Sequence, residues 1–301
     1  MTKSILWPFS KENKLYSKSL NMERIHGGIT FLALLGILFA TLITSAFFIM
    51  TFKGLGHELP DLIANLLQFV FFIVFVWLYA KYVEKRSFAS LGFFGRRKLR
   101  DYTKGVIIGL LLLSVSFVIV ASSSKTNIVY SFNFNIYSVL SFFSVLGFFL
   151  IQGASEEIFM RGWFMQSIAI RHWPWLGIVL STLIFTLLHA ANPNLNTVAV
   201  VNLFLIGLFL AVLALYDENL WGACGFHSAW NFTMNSIYGV QVSGTKLTGE
   251  TIMQTHFEGN ELITGGGFGL EGSLVVTAII VIATILLILL RTKRLNYGNK
   301  N

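Results

Sequence analysis

The sequence predicts an all-α, polytopic membrane bundle of about eight transmembrane helices with both termini cytoplasmic, and three observations carry that reading. Of 301 residues, 55% are hydrophobic and only 12% are charged, against about 25% charged in an average soluble domain. Apolar runs recur at 29–50, 62–80, 106–121, 139–160, 176–190, 198–215, 220–238 and 274–290, each near the roughly 17 to 25 residues that span a bilayer. Cytoplasmic loops retain Lys and Arg. With the amino terminus inside, all 22 Lys and Arg residues except Lys53, Lys125 and Lys246 fall on the inner side. Arg161 is counted there but lies inside an apolar stretch and carries little weight.

The elements follow in order. The first 25 or so residues are polar and basic, with no cleavable apolar core, so the first span is expected to be an uncleaved anchor. Between the second and third spans, 84–104 mixes basic residues with Phe88, Leu91, Phe93 and Phe94. That pattern suits either an element lying at the cytoplasmic interface or a basic loop that only fixes topology. The third, fifth and eighth spans are the shortest. A straight helix from Tyr137 to Arg171 would be about 51 Å long, too long for a hydrocarbon core of roughly 30 Å. A kink near Gly153, a tilt, or an end beyond the membrane must absorb the excess. In the glycine-rich outer loop 239–273, the stretch 251–264 partly alternates and is expected to form a short hairpin capping the bundle. There is no internal repeat, so residues 1–301 read as a single domain.

The net charge of +8 is a topology signal; no pattern for nucleic-acid binding accompanies it. Cys224 is the only cysteine, which excludes an intrachain disulfide and leaves packing as its expected role.

Ionised residues at bilayer depth cost roughly 2.5 to 3.5 kcal/mol on insertion scales and mark functional sites by default. Glu156, Glu157 and Arg161 lie within the fourth run. Residues four apart share a helix face while adjacent ones diverge by about 100°. Glu157 is therefore expected to pair with Arg161, leaving Glu156 to face a cavity, where a carboxylate without a cation suits general acid/base work. His189 ends the fifth run, and His227 and Asn231 share a face of the seventh. At 1.5 Å per residue, Glu156 lies about 22 Å above Arg171, His189 about 20 Å above Leu176, and His227 and Asn231 about 10 and 17 Å above Leu220, so all four could surround one cavity at middle depth. A carboxylate with a histidine can deprotonate water, while histidine and amide donors can stabilise an oxyanion, a set suited to amide hydrolysis.

These residues resemble the CAAX protease and bacteriocin-processing (CPBP or Abi) family of intramembrane proteases, which includes the type II CAAX prenyl endopeptidases. The resemblance rests on Glu156-Glu157-Ile-Phe-Met-Arg161 for the family's EExxxR, Phe185-Thr-Leu-Leu-His189 for its FxxxH, and His227-Ser-Ala-Trp-Asn231 for its third motif, with flanking fits at 220–232 and 265–272 and a family-like core at about 142–290. It implies an intramembrane endopeptidase acting on a membrane-associated, lipidated (CAAX-like) or bacteriocin-type peptide. Glu156 would activate water with His189 as partner, His227 and Asn231 would stabilise the oxyanion, and Glu157 and Arg161 would hold the architecture. The expected partners are a peptide or protein substrate in the membrane and the lipid bilayer, with no nucleic acid, and the expected location is a bacterial plasma membrane. Family members are described both as metalloproteases and as metal-free glutamate proteases. Glu156, His189 and His227 form a two-histidine, one-carboxylate set for a divalent metal such as zinc, although no HExxH is present. The alternative is a non-catalytic membrane regulator that binds a sensor kinase or envelope protein. A transporter with a carboxylate proton relay would show two related halves, and none is visible.

Overall fold

A computed structural model describes residues 7–19 and 27–298. Lys3, Arg24 and Lys300, counted above as inner-side cations, lie outside the described residues. The main helices are α1 (Gly27–Gly54), α2 (Asp61–Tyr82), α3 (Lys98–Ser123), α4 (Ile136–Glu157, continuing through a π-helix at Ile158–Met165 into Gln166–Arg171), α5 (Pro174–Leu188), α6 (Thr197–Asp217), α7 (Trp221–Phe232, with a π turn at Thr233–Ile237) and α8 (Leu274–Gly298). All eight expected spans are helices, but six of them are long and apolar enough to cross a membrane. The two that fall short are α5, with 15 residues, and α7, with 12. At 1.5 Å per residue α5 reaches about 22 Å, less than the hydrocarbon thickness. The third and eighth spans, expected to be among the shortest, are instead 26 and 25 residues long as helices, because polar and basic residues at their ends extend the helix beyond the apolar run.

The short α7 is a buried core helix: every residue from Gly222 to Asn231 is buried. It lies close against α3, where a Cβ on Gly105 would collide with the Gly222 carbonyl and one on Gly225 with the Tyr102 carbonyl. Small residues allow such approach where no hydrophobic force separates helix from lipid. α6 is also central, with 67% of its most apolar window buried, against 11–33% in the other spans.

α4 runs as one 36-residue helix. Gly153 within it is a contact point, since a Cβ there would lie 2.8 Å from the backbone nitrogen of Ser228 on α7. The irregularity comes just after Glu157, in the π-helix, whose eight residues are all buried. Such i→i+5 turns are frequent at functional sites. Capping fixes the helix starts: the Asn135 side chain accepts from Ser138 N at α4, Asn196 accepts from Ala199 N at α6, and Pro174 stands at the first turn of α5.

Two faces result. On the inner face Lys11 Nζ donates to the Ile170 carbonyl (3.0 Å), Asn13 Nδ2 to the Leu215 carbonyl (2.9 Å), and Lys14 and Arg291 both reach Glu218. On the outer face β1 (Lys125–Tyr130) pairs antiparallel with β2 (Met253–Glu258), from Lys125 opposite Glu258 to Tyr130 opposite Met253. The expected hairpin within 251–264 is thus corrected. Only one strand lies there, its partner comes from 125–130, and Glu261–Thr264 is a helical turn. Within 84–104, Glu84, Arg86 and Leu91 are buried in the bundle, and a helix begins at Lys98. Cys224 is free and buried, as packing requires.

Candidate active site

Glu157 and Arg161 pair as their spacing dictates, Arg161 Nη1 donating to Glu157 Oε1 at 2.8 Å with both side chains fully buried. The other guanidinium arm donates to the Gly207 carbonyl on α6 (2.9 Å), and the group stacks 4.7 Å from the Phe185 ring. Glu157 does more than answer that arginine. Its Oε1 also accepts from His227 Nδ1 at 2.9 Å, which joins α4 to α7 and assigns the Nδ1–H tautomer to a neutral His227. The lone pair of Nε2 then points toward Glu156, whose Oε2 is 3.7 Å away. That separation exceeds direct hydrogen-bond range.

Glu156 faces away from the ion pair. Gln152, one turn earlier, donates to its Oε1 at 2.5 Å, and Gln152 Oε1 in turn accepts from Asn231 Nδ2 at 2.8 Å. A relay of amides from α7 thus orients the carboxylate on α4, while Glu156 Oε2 has no hydrogen-bond partner among the described residues. The carboxylate lines a cavity of about 640 Å³ together with Gln152, His189, His227, Asn231 and Glu271. Apolar side chains such as Phe69, Phe72, Phe148 and Leu42 complete it, the mixture of an apolar wall and a few convergent polar groups that ligand sites share.

The structure therefore brings Glu156, His227 and Asn231 together, the last through Gln152. His189 lines the same cavity from the end of α5, but its Nδ1 bonds back to the Phe185 carbonyl at 2.8 Å. The Phe185 ring is near both histidines, with centroids 4.7 Å from His189 and 6.1 Å from His227. The sequence left open a metal at Glu156, His189 and His227; among the described residues no three His, Cys, Asp or Glu side chains are grouped as a metal site. Glu156, His189 and His227 share a cavity without converging on one point, so no step is derived through a metal.

Two participants escaped the sequence reading. Gln152 was discoverable, since it stands four residues before Glu156 on the same face. Glu271 lies 41 residues beyond Trp230 and offered no spacing signal; its carboxylate accepts from Trp230 Nε1 (2.9 Å), Ser243 N (2.9 Å) and Ser243 Oγ (2.7 Å), tying the outer loops to α7.

Fold and site together define a polytopic membrane protein with a carboxylate–histidine centre inside its helical bundle. Residues 138–233 match the family model described as type II CAAX prenyl endopeptidase Rce1-like. The matched segment holds all three motifs, ends before 265–272 and α8, and supports a CAAX-type intramembrane protease, as the motifs implied. No curated protein matches the chain.

Proposed function

We propose that the protein is an intramembrane endopeptidase in which Glu156 and His227 activate the attacking water. The observation that carries this reading is the facing pair of acceptors, Glu156 Oε2 without a hydrogen bond and His227 Nε2 at 3.7 Å. A water donating one hydrogen to each would present an oxygen lone pair to a peptide carbonyl. Attack forms the C–O bond as Glu156 takes the proton; the tetrahedral intermediate then collapses, the C–N bond breaks, and Glu156 returns the proton to the leaving amine. The remaining N–H of Asn231 is the donor available to the oxyanion, for which a single such group is typically worth about 10² to 10³ in rate. Glu157, held by Arg161, positions the His227 ring as the carboxylate of a histidine–carboxylate pair does. This reassigns the partner of Glu156 from His189 to His227 and leaves His189 as a cavity-wall residue beside the substrate.

A membrane-associated, lipidated (CAAX-like) or bacteriocin-type peptide fits the apolar wall. The competing reading, a regulator that binds a sensor kinase or envelope protein without catalysis, has no need of a carboxylate held by a two-amide relay. The test is trapping: peptides that co-purify with Glu156→Gln and are replaced by two cleaved fragments with the parent protein identify a substrate. Recovery of the same uncleaved peptides from both proteins contradicts the reading.

A further inference from the structure

The lining of the 640 Å³ cavity is unevenly distributed between the two faces. Its lining comes from the helices and from outer segments that include Asn192, Ser243, Lys246 and Glu271; among the described residues the inner connections 83–97, 172–173 and 218–220 contribute nothing. On the outer face a second cavity of about 540 Å³ adjoins it, walled by polar groups of the β1–β2 sheet and its neighbours, among them Asn127, Gln241, Gln254 and His256. Lys246 lines both. Among the described residues it is the only Lys or Arg in either lining and makes no ion pair, and it is exposed, whereas another outer lysine, Lys125, is paired with Glu258 at 2.7 Å. None of the acidic groups of the two linings is ion-paired with Lys246: Glu271 accepts from Trp230 and Ser243, Glu156 accepts from Gln152, and Glu261 stands beside Gly266.

We propose that the substrate is an acidic peptide that reaches the active site from the outer face, with Lys246 binding one of its carboxylates at the junction of the two cavities. This rests on the protease reading and adds the side of access and the chemistry recognised. An uncompensated ammonium where two cavities meet attracts the peptide electrostatically. The polar walls of the second cavity offer amide and hydroxyl partners to an extended backbone, and each strand of the two-stranded sheet keeps one unpaired edge. The carboxylate is a side chain of Asp or Glu or the peptide's own terminus.

The test uses full-length Glu156→Gln protein in oriented membrane vesicles and fluorescent random decapeptide pools: one with a free C-terminus but no Asp or Glu, one amidated with Asp and Glu, and one amidated without them. Right-side-out vesicles are expected to retain at least one carboxylate-bearing pool about fivefold better than the carboxylate-free pool, less so at high salt. The pool that is retained identifies the source of the carboxylate. Adding Lys246→Gln should erase the preference and Lys246→Arg should keep it. Equal retention of all pools, a preference confined to inside-out vesicles, or one that survives Lys246→Gln overturns the proposal. The parent protein separates the two readings. If it cleaves the pools while Lys246→Gln leaves retention unchanged, only the Lys246 site fails; carboxylate-dependent retention with no cleavage removes the protease reading and leaves the site.

Discussion

Two clusters of buried charge lie on α4, and they are built differently. Near the inner end, Glu84 is fully buried and uses both oxygens: Oε2 accepts from Arg86 Nε (2.8 Å), and Oε1 from Ser167 Oγ (2.9 Å) and Arg171 Nη2 (3.2 Å). Arg86 goes on to Ser19 Oγ (2.7 Å) and Gln166 Oε1 (3.1 Å), so the cluster ties the amino-terminal segment and the α2–α3 connection to α4. None of these residues lines either of the two cavities described. At mid-helix, by contrast, Glu156 lines a cavity and is held through one oxygen, while the other is buried without a hydrogen bond, 3.7 Å from His227 Nε2. Buried charge alone therefore does not mark a reactive site. A cavity-lining carboxylate fixed in direction through one oxygen, with the other left unbonded beside a histidine, does.

The contrast can be broken by substitution. Its largest expected effect is on turnover: Glu156→Gln should lower proteolysis by about 10³-fold or more, since it removes the base while preserving the shape that accepts from Gln152. Next is stability. Arg161→Ala leaves Glu157 as an uncompensated buried carboxylate and should cost about 3 to 5 kcal/mol, read as a loss of apparent Tm in detergent. It should also lower turnover per folded molecule, because Glu157 then ceases to position His227. Glu84→Gln should cost about 3 kcal/mol, as two buried guanidiniums lose their carboxylate, yet leave turnover per folded molecule unchanged. The smallest effect belongs to Gln152→Ala, expected to lower kcat about tenfold with little change in Tm, because it frees the orientation of Glu156 without unpairing a charge. Wild-type kcat in that variant would show that the amide relay is idle.

How far the sequence revealed this arrangement depends on how local each contact is. The Glu157–Arg161 pair was legible because a four-residue spacing on a helix is a distance, and the helices were legible because lipid demands long apolar runs. The bond from Glu157 to His227 was not, since it joins positions 70 residues apart, and nothing in either helix announces the other. Arg86 and Arg171 were read only as topology markers; their burial on Glu84 depends on how α4 meets the α2–α3 connection. The short length of α7 escaped because a buried helix and a spanning helix carry the same apolar composition, whereas that of α5 was legible in its short apolar run. The π-helix at Ile158–Met165 likewise changes register without changing hydropathy, and β1 found its partner across more than 120 residues.

The most direct test is to measure, on the same preparations, peptide turnover and thermal unfolding for Glu156→Gln and Glu84→Gln against the parent. The mid-helix variant should unfold like the parent and cleave nothing, and the inner-cluster variant should unfold at lower temperature and cleave normally per folded molecule. Undiminished cleavage by Glu156→Gln would contradict the assignment of the reactive carboxylate.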